Sequence, residues 1–162
     1  MPAESEQEEK KAIDPRMHSA EHILTATVMK MFGCARPITT HIEKKKSKAD
    51  YRFARGLTPS EEQQLQSRVN EVILRDLVVT EEFLKRSEAE RTYHLERLPA
   101  DAGDRVRIVH VGDYDACPCI GPHVRRTSEI GTFRIVSTSF EHETLRVRYK
   151  LDPASPTVPL NI

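Results

Sequence analysis

The order of its helical and strand patterns is the feature that most constrains how this chain folds. A first helix begins at Asp14-Pro15, where Asp is a favourable N-cap and Pro suits the first helical position, and it ends at Gly33. A second helix begins at a capping box that opens with Thr58, and it runs to about Arg75. Short strand patterns lie between and after these helices, so we predict an α+β domain with a mainly antiparallel sheet packed against helices.

The strand patterns are short runs of alternating or β-branched residues. We predict strands at 39–42, 50–54, 77–84, 106–111, 130–136 and 145–151, with a charged connection at 43–48 and a short helix that starts at a capping box from Ser87 to Glu90. We further predict a disordered acidic tail at 1–13, a folded domain at 14–152 and a proline-rich extended tail at 153–162.

Length and charge limit the functions that are open to the chain. With 162 residues we expect one domain, and no apolar run approaches the ~20 residues that span a bilayer, so we expect a soluble protein with no membrane partner. The 25 basic and 25 acidic residues cancel, so any contact with nucleic acid must come from a local patch. The polar N-terminus carries no secretion signal and the 3 cysteines are a poor disulfide framework, which predicts a cytoplasmic location.

Two pairs of potential metal ligands lie almost a hundred residues apart. His18 and His22 are four residues apart on the first helix, so both imidazoles share one face. Cys119 and His123 have the same spacing, but the intervening Gly121-Pro122 forbids a regular helix and implies a tight turn. Three histidines and one cysteine suit zinc, which takes about four nitrogen or sulfur ligands. The sequence therefore predicts a His₃Cys zinc site that joins the first helix to the sheet.

Two familiar zinc motifs do not fit this pattern. The metalloprotease motif requires Glu directly after the first histidine, and this chain has Ser19 there. A zinc finger separates its ligand pairs by only ~12–15 residues. Glu21, which precedes His22, is predicted to face water from its position on the helix.

The two ligand segments, HSAEHIL at 18–24 and CIGPHVRRTSEIG at 119–131, resemble the paired motifs of the editing domain shared by alanyl- and threonyl-tRNA synthetases. The strongest likeness is to the freestanding alanyl-tRNA editing proteins, the AlaX group, and it covers about residues 16–151. The resemblance implies the fold of the synthetase second additional domain and the absence of an aminoacylation domain. It also implies hydrolysis of the ester that joins a wrong amino acid to the 3′-terminal ribose of tRNA, without ATP.

Applied to these residues, the resemblance implies that His18, His22, Cys119 and His123 hold zinc. Four protein ligands would complete a tetrahedral shell, as in a structural site, so a catalytic ion needs a fifth position or a displaced ligand. Some threonyl-type relatives keep the same four residues and are thought to work without metal, which leaves a metal-free site as an alternative.

The chain departs from the family pattern two residues before the ligand cysteine. Threonyl-type relatives carry Asp there and alanyl synthetases usually carry Glu, whereas this chain has Cys117. Asp115 or Asp113 would supply a carboxylate from the same segment, or both acids only shape a turn. We take Cys117 and Asp115 as the catalytic candidates, with Cys117 as a weak base, a fifth ligand or a bystander. A thiol beside a cation would have a lowered pKa.

Two basic clusters are candidates for tRNA contact. Arg125 and Arg126 directly follow the ligand turn, where the 3′ end of tRNA would arrive, and Lys44, Lys45 and Lys46 lie in the charged connection. The lysine run is also typical of a solvated loop. Because so few cations are involved, we expect a shallow salt dependence of binding, and we expect no DNA partner.

These observations favour a zinc-dependent hydrolase that deacylates mischarged tRNA in trans, above all Ser-tRNA(Ala). Ser-tRNA(Thr) is the alternative substrate, because the Cys-Ile-Gly-Pro-His form is closer to the threonyl version while Thr-Ser-Glu-Ile-Gly is closer to the alanyl one. A non-catalytic binding module stabilised by zinc, and a hydrolase acting on another small amide or ester, also stay open.

Overall fold

A computed structural model describes residues 13–95, 98 and 103–152 of the chain. The helices are α1 (Pro15–Phe32), α2 (Pro59–Leu74) and α3 (Arg86–Thr92), with one 3₁₀ turn at Thr127–Ile130. The strands are β1 (Thr39–His41), β2 (Ser47–Arg52), β3 (Val79–Lys85), β4 (Arg105–Val111), β5 (Asp115–Pro118), β6 (Thr132–Glu141) and β7 (Thr144–Asp152). The predicted tails at 1–13 and 153–162 lie outside the described residues, except for Ile13.

The strands form two antiparallel sheets. The first has the order β1-β2-β7-β6 and the second has the order β3-β4-β5. The predicted α+β class with antiparallel pairing is therefore confirmed, although the strands divide between two sheets rather than one. No helix among the described residues is long and apolar enough to cross a membrane.

Helix α1 lies at the centre of the domain. The Asp14 side chain caps its first turn as predicted, and Gly33 ends it in a left-handed conformation with φ of 71°. Every residue from Met17 to Val28 is buried. The first sheet contacts the helix through Tyr149, whose hydroxyl donates to the Met17 carbonyl at 3.1 Å. Because neighbours enclose α1 on all sides, any polar group that it carries must find its partner inside the protein.

Helix α2 is amphipathic, as its sequence predicts, and its predicted capping box is present. It buries Leu65, Val69, Val72 and Ile73. The helix also covers the outer edge of β6, where the Asn70 amide exchanges two hydrogen bonds with the Phe133 backbone at 2.9 and 2.8 Å. Side chains of α2 thus close a sheet edge that would otherwise be open to pairing with another chain.

Three local predictions were wrong. Strand β2 begins at Ser47, so the end of the charged connection is strand, and β5 lies in a segment with no strand pattern. The cause at β5 is pairing with β4, which outweighs the weak strand propensity of its residues. Helix α3 begins at Arg86 with Lys85 as its N-cap and no side-chain cap, so the capping box predicted at Ser87 does not form.

Candidate metal centre

The structure brings the four predicted ligand residues into one cluster. His18, His22, Cys119 and His123 each offer a ligand atom, and these atoms lie within 4.8 Å of one another. The Cys119 Sγ is 3.2 Å from the His18 Nε2 and 3.5 Å from the His123 Nε2. Three of the four residues are buried and His123 is half-buried. Helix α1 supplies one pair and the turn after β5 supplies the other.

The second ring nitrogen of each histidine faces a different group. The His18 Nδ1 donates to the Pro122 carbonyl at 3.0 Å. The His123 Nδ1 is hydrogen-bonded to the Ser19 hydroxyl at 2.9 Å. The His22 Nδ1 lies 3.6 Å from an Asp115 carboxylate oxygen. This leaves an Nε2 atom on every ring for a metal, the arrangement that outer partners typically impose on metal-binding histidines.

The ligand turn depends on a glycine and an arginine. Gly121 has φ of 120°, and a Cβ there would lie 3.0 Å from the His18 Cε1, so only glycine allows this close approach. The Arg107 Nη1 donates to the Gly121 carbonyl at 2.7 Å, and its Nε pairs with Glu81 at 2.6 Å. Sequence reasoning missed Arg107, because its strand position carries no sign of this long-range contact.

Two carboxylates lie beside the cluster. Asp115 accepts from the Arg36 Nη2 at 3.0 Å and faces His22 with its other oxygen. Glu21 is buried, its Oε1 accepts from Thr25 at 2.8 Å, and its Oε2 is 3.8 Å from the His22 Nε2.

The prediction that Glu21 faces water is wrong, because α1 has no solvent face between Met17 and Val28. Sequence reasoning missed this burial because polar residues, including Ser19, Thr25 and Thr27, are spread along the helix, so no apolar-all-round pattern marks it as buried.

Burial and neighbouring charge shift the pKa values of the three histidines in different directions. Burial, followed by the charge of His22, lowers the pKa of His18 to about 4 and that of His123 to about 2. Both rings are therefore neutral, the form that binds metals. Burial also disfavours charge on His22, but Asp115, Cys119 and Glu21 outweigh it and raise the pKa of His22 to about 10. The carboxylates of Asp115 and Glu21 would thus stabilise positive charge at His22, whether a proton or a bound cation.

Cys117 lies on β5, opposite Val109 of β4. Burial raises the pKa of its thiol to about 12, and the nearby Arg36 offsets this effect only in part. In the protein alone, loss of hydration therefore outweighs the attraction of Arg36, and the lowering expected for a thiol beside a bound metal ion stays a prediction. The Cys117 thiol is neutral at physiological pH and donates weakly to the Pro118 carbonyl at 3.3 Å.

The predicted tRNA contacts are exposed but differ in their partners. The Arg126 guanidinium donates to the Asp76 carboxylate at 2.9 Å and to the Asp76 carbonyl at 3.0 Å, so its charge is largely neutralised. Arg125 and Lys44–Lys46 are exposed at the surface. Lys44, Lys45 and Lys46 lie in the loop between β1 and β2.

The chemistry of the cluster fits a zinc ion. Its donors are imidazole nitrogens and one cysteine sulfur, and zinc prefers this set. The His22 Nδ1 and the Asp115 Oδ2 are buried without a hydrogen-bond partner and lie 3.6 Å apart, so this carboxylate faces the ring nitrogen opposite the one offered to the metal, as outer partners of metal-binding histidines do. His18, His22, Cys119 and His123 would hold the ion.

Sequence comparisons show which known proteins the chain is similar to. A sequence model of the "Threonyl and Alanyl tRNA synthetase second additional domain" matches residues 106–146. The Alanine--tRNA ligase of Fervidobacterium nodosum is 35% identical over 125 residues, which cover 76% of this chain and 14% of the relative. Those of Pseudothermotoga lettingae and Aeropyrum pernix are 33% and 32% identical, covering 81% and 83% of this chain and 15% of each relative.

The fold and the cluster define an α+β domain with a buried His₃Cys centre. The family match and the relatives, which align with most of this chain, support an AlaX-like domain related to the second additional domain of threonyl- and alanyl-tRNA synthetases. It spans 14–15% of the length of the curated relatives it matches.

Proposed function

We propose that the chain hydrolyses the ester bond of mischarged tRNA, with Ser-tRNA(Ala) as its main substrate, in the cytoplasm where translation takes place. The observation that carries this proposal is the cluster of His18, His22, Cys119 and His123 in a domain of this family. The matched relatives are alanine–tRNA ligases, which supports tRNA(Ala) over tRNA(Thr).

A zinc ion bound there would supply Lewis-acid polarisation of the ester, which is worth several kcal/mol. The chain's own residues prepare the site for it. Ser19 and the Pro122 carbonyl fix the His123 and His18 rings, and Arg36 holds Asp115 against His22. Asp115 is therefore a positioning residue, because it acts on the site through His22.

Negative charge beside the cluster suits the substrate's amino group. An aminoacyl ester carries an α-ammonium group, and the Glu21 Oε2 accepts no hydrogen bond from any described residue. We expect the seryl ester to bind with its ammonium toward this carboxylate. N-acetylation of the seryl group removes that charge and should therefore lower kcat/KM for Ser-tRNA(Ala) strongly.

Cys117 has a different proposed role from the carboxylate found in relatives. Because its thiol is neutral, it would turn its S–H from the Pro118 carbonyl to the substrate and donate a weak hydrogen bond there, rather than remove a proton from water. Cys117→Ser keeps a donor and should retain more activity than Cys117→Ala.

The test is a deacylation assay on a panel of mischarged tRNAs, with and without added zinc. Cys119→Ala and His18→Ala should lose activity and bound zinc while circular dichroism stays native. The matched controls are Cys34→Ala, at a half-buried cysteine, and His142→Ala, at an exposed histidine. Full activity in Cys119→Ala and His18→Ala would overturn the proposal.

A second candidate is a binding module in which zinc is purely structural. The four-residue ligand set favours it, because four protein ligands leave a tetrahedral ion no open position. Chelation that unfolds the domain, with no hydrolysis of any aminoacyl-tRNA, would select this function.

A further inference from the structure

One face of the second sheet extends from the candidate metal centre to an exposed aromatic ring. Cys117 lies opposite Val109, and Phe83 lies opposite Arg107. Directly opposite residues of antiparallel strands share a face, so all four side chains lie on the same side of the sheet. Val109 is buried, whereas Phe83 is 54% exposed. The face therefore begins beside the centre and opens to solvent at β3.

Positive charge surrounds the exposed ring. Lys85 lies opposite Arg105, and alternation along β3 and β4 places both on the same face as Phe83. Both are exposed, and within 13–95, 98 and 103–152 neither has an ion-pair partner. Arg107 is balanced by Glu81. In a chain of zero net charge, this is a local patch with two unbalanced cations.

The exposed ring is not part of the core of the sheet. The opposite face already has its cover, since Val106 and Ile108 pack with Ala89 of α3. The patch is also continuous with the ligand turn, because Arg107 donates to the Gly121 carbonyl and Ile120 of that turn is 60% exposed. Anything bound on Phe83 would therefore lie next to the candidate centre.

We propose that Phe83, Lys85 and Arg105 bind the single-stranded 3′ end of tRNA, with a base stacked on the Phe83 ring and phosphates beside the two cations. An aromatic ring combined with neighbouring cations is the usual platform for a single strand, because every base has a stacking face. This inference rests on the proposed function. It assigns the 3′ end to a different surface from Arg126, whose guanidinium is held by Asp76.

The test measures binding of an RNA hairpin with an unpaired CCA 3′ end by fluorescence anisotropy. We expect Phe83→Ala to weaken binding about tenfold and Phe83→Trp to restore it. Lys85→Ala and Arg105→Ala should each weaken binding and reduce the salt slope by about 0.7. A blunt hairpin should be insensitive to all four changes. Matched controls on the first sheet are Phe140→Ala, at a 38% exposed aromatic, and Lys150→Ala.

Kinetics separate a failure of this inference from a failure of the proposed function. With Ser-tRNA(Ala), Phe83→Ala should raise KM and leave kcat unchanged. Wild-type protein that hydrolyses no aminoacyl-tRNA would overturn the proposed function. An active wild type with unchanged hairpin affinity and KM in Phe83→Ala would overturn this inference alone. A wild-type dimer that Phe83→Ala dissociates would also overturn it, since the ring would then bind a second copy of the chain.

Discussion

The two halves of the candidate centre use the same residue spacing but are held in different ways. His18 and His22 are positioned by the repeating geometry of α1, which is capped at both ends. Cys119 and His123 lie on a turn whose shape depends on contacts from elsewhere in the chain, including those made by Arg107. The helical half is therefore positioned by local helix geometry, whereas the turn half depends on contacts from distant segments.

The largest expected effect comes from filling the space at the turn. Gly121→Ala adds a Cβ at 3.0 Å from the His18 ring and strains a backbone with φ of 120°, so we expect a loss of about 1–3 kcal/mol in the free energy of unfolding. Zinc affinity should fall about 100-fold, as measured by competition with a chelator.

Gly33→Ala is the matched control for this change, because that position also has positive φ but no atom within 4 Å of the added Cβ. It should reduce stability and leave zinc affinity unchanged. Equal zinc affinity in Gly121→Ala and the wild type would show that the turn tolerates crowding.

The next effect tests the link between the two halves. The Ser19 hydroxyl of α1 contacts the His123 Nδ1 and accepts from the Val124 backbone N–H at 3.1 Å. Ser19→Ala removes both contacts, so zinc affinity should fall about tenfold. Isothermal titration with zinc would measure this, with Ser67→Ala on the exposed side of α2 as control. No change would mean that α1 and the turn hold their ligands independently.

A smaller effect is expected from the support beneath the turn. Arg107→Met keeps the apolar stem but leaves the Gly121 carbonyl without its donor, so the free energy of unfolding should fall by about 1 kcal/mol in urea denaturation. Arg134→Met is the control, since it breaks only an exposed ion pair with Asp152. If both variants lose the same stability, Arg107 does not support the turn specifically.

The smallest effect is expected at an ion pair that lies outside both halves of the candidate centre. Arg146 donates to both Asp50 oxygens at 2.8 and 2.9 Å and lowers the pKa of this carboxyl. The stability it contributes is present above the unfolded pKa of about 3.9 and is lost as pH falls through the lower folded value.

Asp50→Asn should thus lower the free energy of unfolding by less than about 1 kcal/mol at pH 7. In this variant the free energy of unfolding should also fall less steeply as the pH is lowered. Urea denaturation at several pH values would measure both. If the free energy of unfolding depends on acidic pH in the same way as in the wild type, Asp50 does not cause that dependence.

Local signals made the helices and the four ligand residues predictable. Asp14 and Gly33 fix the ends of α1 through side-chain and backbone preferences that operate within a few residues. The histidine pair could be predicted from its spacing of four residues alone, without knowledge of the rest of the fold. For Cys119 and His123, the glycine and proline between them already indicated a tight turn.

The features that could not be predicted depend on contacts between distant segments. Strand β5 exists because β4 pairs with it, and Glu21 is buried because two sheets and α2 enclose its helix. Arg36 meets Asp115 across 79 residues of sequence. Periodicity describes a single element, so it carries no information about which neighbours will cover that element.

The distance in sequence between the two ligand pairs has a consequence during synthesis. His18 and Cys119 are 101 residues apart, so a ribosome adding about 5–20 residues per second takes roughly 5–20 s between them. Through that interval the two histidines leave the ribosome without their sulfur partner. Strand β7, which lies between β2 and β6, follows later still. The nascent chain therefore acquires its fourth ligand residue, His123, shortly before the synthesis of β6 and β7, the strands that complete the first sheet.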